Sequence, residues 1–410
     1  MNRQWQQARE MLAAGKIAES VPLLASATAA LHPEATFHLG SLHMFGLIEA
    51  ADKKRGLQLI QKAADLGQSA AFYQLAVHEL SKPDKTPDWQ YANECLWRSA
   101  QSKYPPALRS LAIHWSSSPE QSMLALGTLC LEYAAEGGDM VSLGLLMHRL
   151  RHGVGCPANP QRANAINTLL LQTDLPVENP MAQVNPELAP PENLLALPSL
   201  PKPDLAGGFW KTDVTVLSES PWVAIADNVL NQEECHLVYY SGGPQVERSI
   251  TADPDGNLVK VQLRTSSEMV FHDAEEDISL LMIQRRMAGL VNKTPAYSEP
   301  LHLLRYENGQ EYRPHRDYLP QSLISSLDEG GPGQRDSTVI VYLNEIAHGG
   351  ETEFLELDKK IAPKTGRVLA FNNLHPDGTP DTRTLHAGLP VRSGTKWIAT
   401  MWLHQGIFRR

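Results

Sequence analysis

Two residues in the C-terminal half of the chain, His315 and Asp317, form a His-x-Asp pair at the end of the segment Arg305-Tyr306-Glu307-Asn308-Gly309-Gln310-Glu311-Tyr312-Arg313-Pro314-His315-Arg316-Asp317. Side chains alternate with period two along an extended backbone, so both groups point to one side and can serve a single ion. The pair needs a third ligand, and His386, in Thr384-Leu385-His386-Ala387-Gly388, is read as that ligand. Two imidazoles and one carboxylate on one face of an ion leave three positions open, the arrangement that suits non-haem Fe(II). A bidentate 2-oxo acid fills two of those positions and dioxygen the third, so the residue set points to an oxidation coupled to a 2-oxo acid.

Ten residues after His386 stands Lys396. Its ammonium suits the distal carboxylate of 2-oxoglutarate, with the Tyr342 hydroxyl as a second donor. A further His-x-Asp, His375-Pro376-Asp377, lies in a Gly/Pro-rich stretch just before His386 and has no such downstream partners, so it is read as a loop. His38, His43, His78, His114 and His148 fall in a helical region and are read as structural, and His348, beside Gly349-Gly350, as a turn residue. The carboxylate at Asp317 also argues against halogenation, which needs a small residue there so that chloride can bind.

The elements that must hold these groups are short β-rich runs bounded by Gly, Pro and Asp: Thr338 to Leu343, Arg367 to Phe371 and Lys396 to Trp402. They predict an all-β core with flanking helices. One such helix is expected from Glu276 to Leu290, where Ile278, Leu281, Met282, Arg285 and Met287 form an amphipathic stripe.

The first 170 or so residues have a different texture, a repeat of about 36 residues. Ala35, Ala71, Ala107 and Ser142 mark one column, Leu39, Leu75, Leu111 and Leu146 a second, and Ala27, Ala63, Ser99 and Ala134 a third. Small residues at fixed helical spacing let helices approach closely, so each unit reads as a helix-turn-helix and the set as an α-solenoid, with a generic helical bundle as the alternative. Eight prolines between Pro176 and Pro203 indicate an extended connector. The expected organisation is a repeat domain over 1–172, a linker over 173–220 and an oxygenase domain over 221–410, the last able to stand alone from near Leu205.

At 410 residues the chain is long enough for two cores, and 42% hydrophobic with 20% charged residues is a globular composition. A net charge of -10 argues against nucleic acid and for a neutral or basic partner. Cys95, Cys130, Cys156 and Cys235 form no CxxC pair and are read as reduced thiols rather than a zinc site or disulfides. No apolar run approaches a membrane span, and the Met-Asn-Arg-Gln-Trp start is unlike a secretory signal, so no membrane partner and a cytoplasmic location are expected. The oligomeric state stays open.

In its C-terminal half the chain resembles the prolyl 4-hydroxylase family of Fe(II)/2-oxoglutarate dioxygenases over roughly 190 residues. The matching blocks are Arg264-Thr265-Ser266, Tyr306 through Asp317, Tyr342-Leu343-Asn344, Gly349-Gly350-Glu351-Thr352-Glu353-Phe354, Pro363-Lys364-Thr365-Gly366, and His386 through Trp402. The resemblance implies a double-stranded β-helix, or jelly roll, with iron on His315, Asp317 and His386. It implies 2-oxoglutarate on Lys396, Tyr342 and Thr400 with Tyr306 facing the same pocket, O2 and ascorbate as further requirements, and a peptide groove lined by Tyr312, Arg335, Trp402 and His404. The stretch Tyr318 to Gln334 is a longer insertion than the family has. The N-terminal units, such as Ala63-Ala64-Asp65-Leu66-Gly67 with Ala71-Phe72-Tyr73-Gln74-Leu75, resemble Sel1-like repeats, relatives of the tetratricopeptide repeat, although Lys103-Tyr104-Pro105-Pro106 replaces the usual glycine turn.

The resemblance implies hydroxylation of a prolyl residue in a protein or peptide, with the repeats holding that partner. A small-molecule oxygenase that uses the repeats for assembly and a non-catalytic scaffold are the alternatives. The start of the chain weighs against a collagen substrate, which is modified in the secretory pathway.

Overall fold

The computed structural model describes residues 3–82, 86–172, 195–208, 213–249, 251–252, 258–259, 264–326 and 331–409. Ten helices build the N-terminal part: α1 (Arg3–Ala13), α2 (Ile17–Ala29), α3 (Pro33–Met44), α4 (Lys53–Asp65), α5 (Ser69–Ser81), α6 (Trp89–Gln101), α7 (Pro105–His114), α8 (Gln121–Glu136), α9 (Met140–His152) and α10 (Pro160–Leu171). Their starts use one device repeatedly. Asp52, Asp88, Asp139 and Asn159 each accept a hydrogen bond from a backbone N–H in the first turn of α4, α6, α9 and α10.

Every residue of the three small-and-leucine columns is buried. The turns between α2 and α3, α4 and α5, α6 and α7, and α8 and α9 each place one residue in the left-handed region: Leu31 (φ 59), Gly67 (φ 86), Lys103 (φ 58) and Gly138 (φ 89). The unit without glycine therefore keeps the turn, and Lys103 carries its strain. Leu31 carries the same strain with a side chain 55% exposed. Leu31→Gly is expected to raise unfolding stability by about 1 kcal/mol, checked by urea titration.

The C-terminal part is two facing antiparallel sheets. The larger has the order β1 (Thr215–Glu219), β2 (Trp222–Ala226), β13 (Val368–Asn372), β9 (Arg335–Tyr342), β16 (Lys396–His404), β7 (Leu301–Tyr306), β6 (Ser267–Phe271), β3 (Glu247–Arg248). The smaller has the order β12 (Lys359–Ile361), β11 (Thr352–Phe354), β14 (His386–Gly388), β8 (Tyr312–His315). Two-residue ladders join β4 (Thr251–Ala252) to β5 (Leu258–Val259) and β10 (His348–Gly349) to β15 (Val391–Ser393). Leu304, Tyr306, Ile340, Tyr342, Phe371 and Ile398 of the larger sheet meet Phe354 and Ile361 of the smaller in one apolar cluster. This is the jelly roll that the resemblance implied. The linker was expected to run to 220, yet β1 already pairs with β2, so the sheet begins before Pro221.

The two parts do not stand apart. Helices α11 (Gln232–Gly242) and α12 (Ile278–Gly289) cover the outer face of the larger sheet, and their other side packs on the array: α12 on α5 and α7, α11 on α9. One continuous cluster of buried apolar residues runs from Ile60 in α4 to Leu403 in β16. Arg149 of α9, wholly buried, donates from Nε and Nη2 to the Glu233 carboxylate of α11 at 2.7–3.1 Å. Its remaining donors reach the Leu124 and Ala112 carbonyls and the Thr128 hydroxyl at 2.9–3.1 Å. Arg109 of α7 pairs with Asp277, which caps α12.

The connector contributes as well. Its 195–205 stretch lies along α6 and α8, with Trp97 Nε1 donating to the Leu200 carbonyl (2.7 Å) and the Leu205 N–H to Asn93 (3.1 Å). Residues 173–194 of the expected linker lie outside the described residues. An oxygenase part starting near Leu205, which was expected to stand alone, would keep only half of this shared core. The faces of α5, α7 and α9 that meet the oxygenase part are covered by the chain's own α11 and α12.

Candidate metal centre and cosubstrate pocket

The smaller sheet brings two ligands together by register. His315 at the end of β8 is paired directly with His386 at the start of β14. Asp317 follows two residues beyond the end of β8, and the ligand atoms of His315, Asp317 and His386 all lie within 4.8 Å of one another. Nε2 of His315 is 3.5 Å, and Nε2 of His386 3.7 Å, from Asp317 carboxylate oxygens. Among the described residues this is the one such cluster.

The surroundings prepare these groups for a cation. Nδ1 of His315 meets the Arg313 carbonyl at 2.8 Å and Nδ1 of His386 the Thr384 carbonyl at 3.0 Å, which commits the proton to Nδ1 and leaves Nε2 as the donor toward the centre. Burial and the neighbouring His315 push the pKa of His386 down to about 4, so its imidazole is neutral. Burial alone would raise the pKa of Asp317, but His386 and His315 outweigh it and keep the carboxyl far below its ordinary range. Asp317 Oδ2 accepts from the Thr338 hydroxyl (2.8 Å), which in turn accepts from Asn373 (3.0 Å). Phe354 and Phe371 pack on the His386 ring. Two imidazole nitrogens and one anchored carboxylate, facing one point, fit the Fe(II) donor set.

Strand β16 carries Lys396 and Thr400, two of the residues expected to meet the cosubstrate. Trp397, Ala399, Met401 and Leu403 face the helical layer, and alternation turns Lys396, Ile398, Thr400, Trp402 and His404 inward. Lys396 is 3% exposed and its Nζ lies over the rings of Tyr306 (5.4 Å) and Tyr342 (5.6 Å). Burial pushes its pKa down to about 8, opposed by Glu351. Among the described residues the ammonium has no hydrogen-bonded or ion-paired acceptor, so a cation is held in an apolar cage with its counter-charge still to come. The Tyr342 hydroxyl donates to Thr352 at 2.8 Å, and the Tyr306 hydroxyl lies beside Arg264 and Ser266. Thr400 is buried on the same inward face.

The four expected groove residues fall into two groups. Tyr312 stacks on His315, ring centroids 3.4 Å apart at 14°. Arg335, Trp402 and His404 assemble by Asp317: the Arg335 guanidinium lies 4.3 Å over the Trp402 ring and donates to the Asp317 carbonyl at 3.3 Å. Glu299, not identified from sequence, joins them by accepting from Arg335 (2.8 Å) and meeting His404 Nε2 (2.9 Å). Burial works against the Glu299 charge, yet Arg335 and His404 hold its pKa down at about 2. Strict alternation along β9 would turn Arg335 away from Thr338. A register shift, with Leu403 opposite Ser337 and His404 opposite Arg335, makes Asp336 a bulge and turns Arg335 inward.

The insertion rests beside this group. Its base is closed by Gln334, whose side chain bonds the Leu319 N–H (2.6 Å) and carbonyl (2.9 Å). Residues 327–330 of it lie outside the described residues. His375 and Asp377 sit in a loop, where Asp377 accepts from the Thr379 N–H, and His348 is exposed on β10. Thr338, Asn373 and Glu299 were all missed. A polar residue at the inward position of the Thr338 to Leu343 run was a usable signal for the first; the other two lie outside any periodic pattern.

Sequence comparison agrees with this geometry. The 2OG-Fe(II) oxygenase superfamily profile matches residues 301–404. A probable prolyl 4-hydroxylase 7 of Arabidopsis thaliana is 36% identical over 223 residues, 50% of this chain and 69% of the plant protein. Among solved structures, the 2OG complex of a viral collagen prolyl hydroxylase from Paramecium Bursaria Chlorella virus-1 aligns over 45% of this chain and 97% of its own, at 28% identity and a TM-score of 0.35. A Sel1 repeat protein from Oxalobacter formigenes aligns over 42% of this chain and 73% of its own, at 18% identity and a TM-score of 0.34. The plant relationship spans more than two thirds of that protein, and on that ground the chain belongs to the prolyl 4-hydroxylase family of 2OG-Fe(II) oxygenases.

Proposed function

We propose that this chain hydroxylates a prolyl residue of a protein or peptide, with Fe(II) on His315, Asp317 and His386 and 2-oxoglutarate anchored by Lys396. The observation that carries the substrate reading is the wall beside Asp317. Trp402 and Arg335 present an aromatic face and a cation there, and the buried Trp402 Nε1 has no hydrogen-bond acceptor among the described residues. A peptide offers both what such a wall needs, an apolar ring and a backbone carbonyl. The negative net charge further favours a neutral or basic peptide.

In this reading bound Fe(II) supplies the oxidation, coupling decarboxylation of 2-oxoglutarate to insertion of one oxygen atom from O2 into a C–H bond. The protein's share is positional. Thr338 and the two backbone carbonyls orient the ligands, Lys396 and the Tyr306 and Tyr342 cage hold the cosubstrate carboxylate, and Glu299 fixes Arg335 and His404 so that the peptide meets a preformed surface. Ascorbate is expected to prolong turnover. The experiment is incubation with Fe(II), 2-oxoglutarate and either proline-containing peptides or free amino acids. A one-oxygen mass gain on the peptides supports the proposal; a gain on free amino acids alone overturns it.

Lys396→Ala is expected to raise the 2-oxoglutarate concentration for half-maximal rate by about 10- to 100-fold, the value of one charge-assisted contact, while leaving Fe(II) affinity unchanged. Measured cosubstrate dependence decides this, and an unchanged requirement moves the anchor elsewhere.

A further inference from the structure

Where α3, α4 and α5 meet the 272–276 loop of the oxygenase part lies a cavity of about 420 Å³. A second, of about 430 Å³, shares Met44, Phe45, Lys53 and Asp273 with it, so the two form one seam. The walls include Met44, Phe45, Leu57 and Val77, and Lys53, Lys54 and Lys82 also line it.

Two independent features point to an anionic occupant. Lys53, Lys54 and Arg55 fill the first turn of α4, where the positive end of the helix dipole disfavours cations, and no acidic residue shares that turn. Among the described residues none of the three has an ion-pair partner. The Asp52 cap sets one carboxylate against these three cations, so the turn keeps a net positive charge. The second feature is His43, which lines the second cavity at 5% exposure and whose Nδ1 finds no hydrogen-bond partner among the described residues. The remaining charges are mostly spent: Lys82 pairs with Glu79, and Glu276 accepts from Arg409 and Gln284. Asp273 is the one acid on the seam without such a partner among the described residues, against Lys53 and Lys54.

We propose that this seam binds an anionic amphiphile, an acyl carboxylate whose chain lies on Met44, Phe45, Leu57 and Val77 and whose head group meets Lys53 and Lys54. The seam also touches the substrate wall. Arg409, which lines it, donates to the Ser298 and Glu299 carbonyls at 3.1 and 3.0 Å, and the Glu299 carboxylate holds Arg335 and His404. Occupancy is thereby coupled to the groove through one residue, and the coupling must be reciprocal.

The test is calorimetric titration of the full-length protein with octanoate, below its micellar concentration, and with octanol as the uncharged probe. Octanoate is expected to bind, octanol about tenfold more weakly, and the K53E/K54E double variant to bind octanoate about tenfold more weakly than the parent, each the size of one charge-assisted contact. Both lysines are exposed, so the variant should fold as the parent does. No octanoate binding, equal affinity for octanol, or undiminished binding by K53E/K54E overturns the proposal. None of these readouts depends on the hydroxylase activity.

Discussion

His315→Ala, Asp317→Ala and His386→Ala are each expected to lower turnover by about a thousandfold or more, equivalent to about 4 kcal/mol in the barrier. Three protein ligands are the whole of the donor set, and the neighbouring groups offer no substitute: the Nδ1 atoms are committed to backbone carbonyls, and the Thr338 hydroxyl is turned to Asp317. The fold should persist in all three. No ligand belongs to the apolar cluster of Tyr342, Ile340, Ile361 and Ile398, while His386→Ala also removes the ring on which Phe354 and Phe371 pack and is the variant expected to lose some stability. Succinate formation and circular dichroism, read side by side, separate loss of chemistry from loss of structure. Substantial activity in any one variant would falsify the triad.

Arg149→Met should destabilise the whole chain by about 3–5 kcal/mol, because it leaves Glu233 as an uncompensated charge inside the shared core. That is a large fraction of a typical total of about 5–15 kcal/mol. The double variant Arg149→Met/Glu233→Met should recover most of the loss, since an apolar pair of similar volume needs no counter-charge. Urea unfolding followed by helix and sheet signals is expected to give one coincident transition in the parent and in both variants. Separate transitions for the helical array and the sheets would mean that the interface contributes little. The same reasoning predicts that a chain beginning near Leu205 aggregates, as it exposes the array-facing side of α11 and α12.

These two outcomes mark what was legible in the sequence and what was not. The triad was readable because few residue types serve Fe(II) and because period two puts His315 and Asp317 on one side. The array was readable because its small-residue columns recur at fixed spacing, and the structure buries every member. Even the glycine-free turn at Lys103 keeps its conformation. The inward face of Arg335 was not derivable from alternation, since a single bulged residue, Asp336, reverses the parity of the strand. Glu299 follows a 3-10 turn and has no periodic signature at all. The docking of array and oxygenase was hidden for another reason. Arg149 sits in the last turn of α9 beside Arg151 and His152, where basic residues usually complement the helix dipole in solvent, and its partner Glu233 lies in the first turn of a helix beyond the connector. The α12 stripe was likewise visible, but not that its two sides serve two different partners.

The most direct test of the central claim is a reaction of the full-length protein with Fe(II), 2-oxoglutarate, isotopically labelled O2 and a proline-containing peptide, followed by mass spectrometry of peptide and succinate together. The account predicts labelled oxygen on a prolyl residue in step with succinate, both abolished by His386→Ala. Succinate formed at full rate while no tested peptide gains label, or label that persists in His386→Ala, would contradict it.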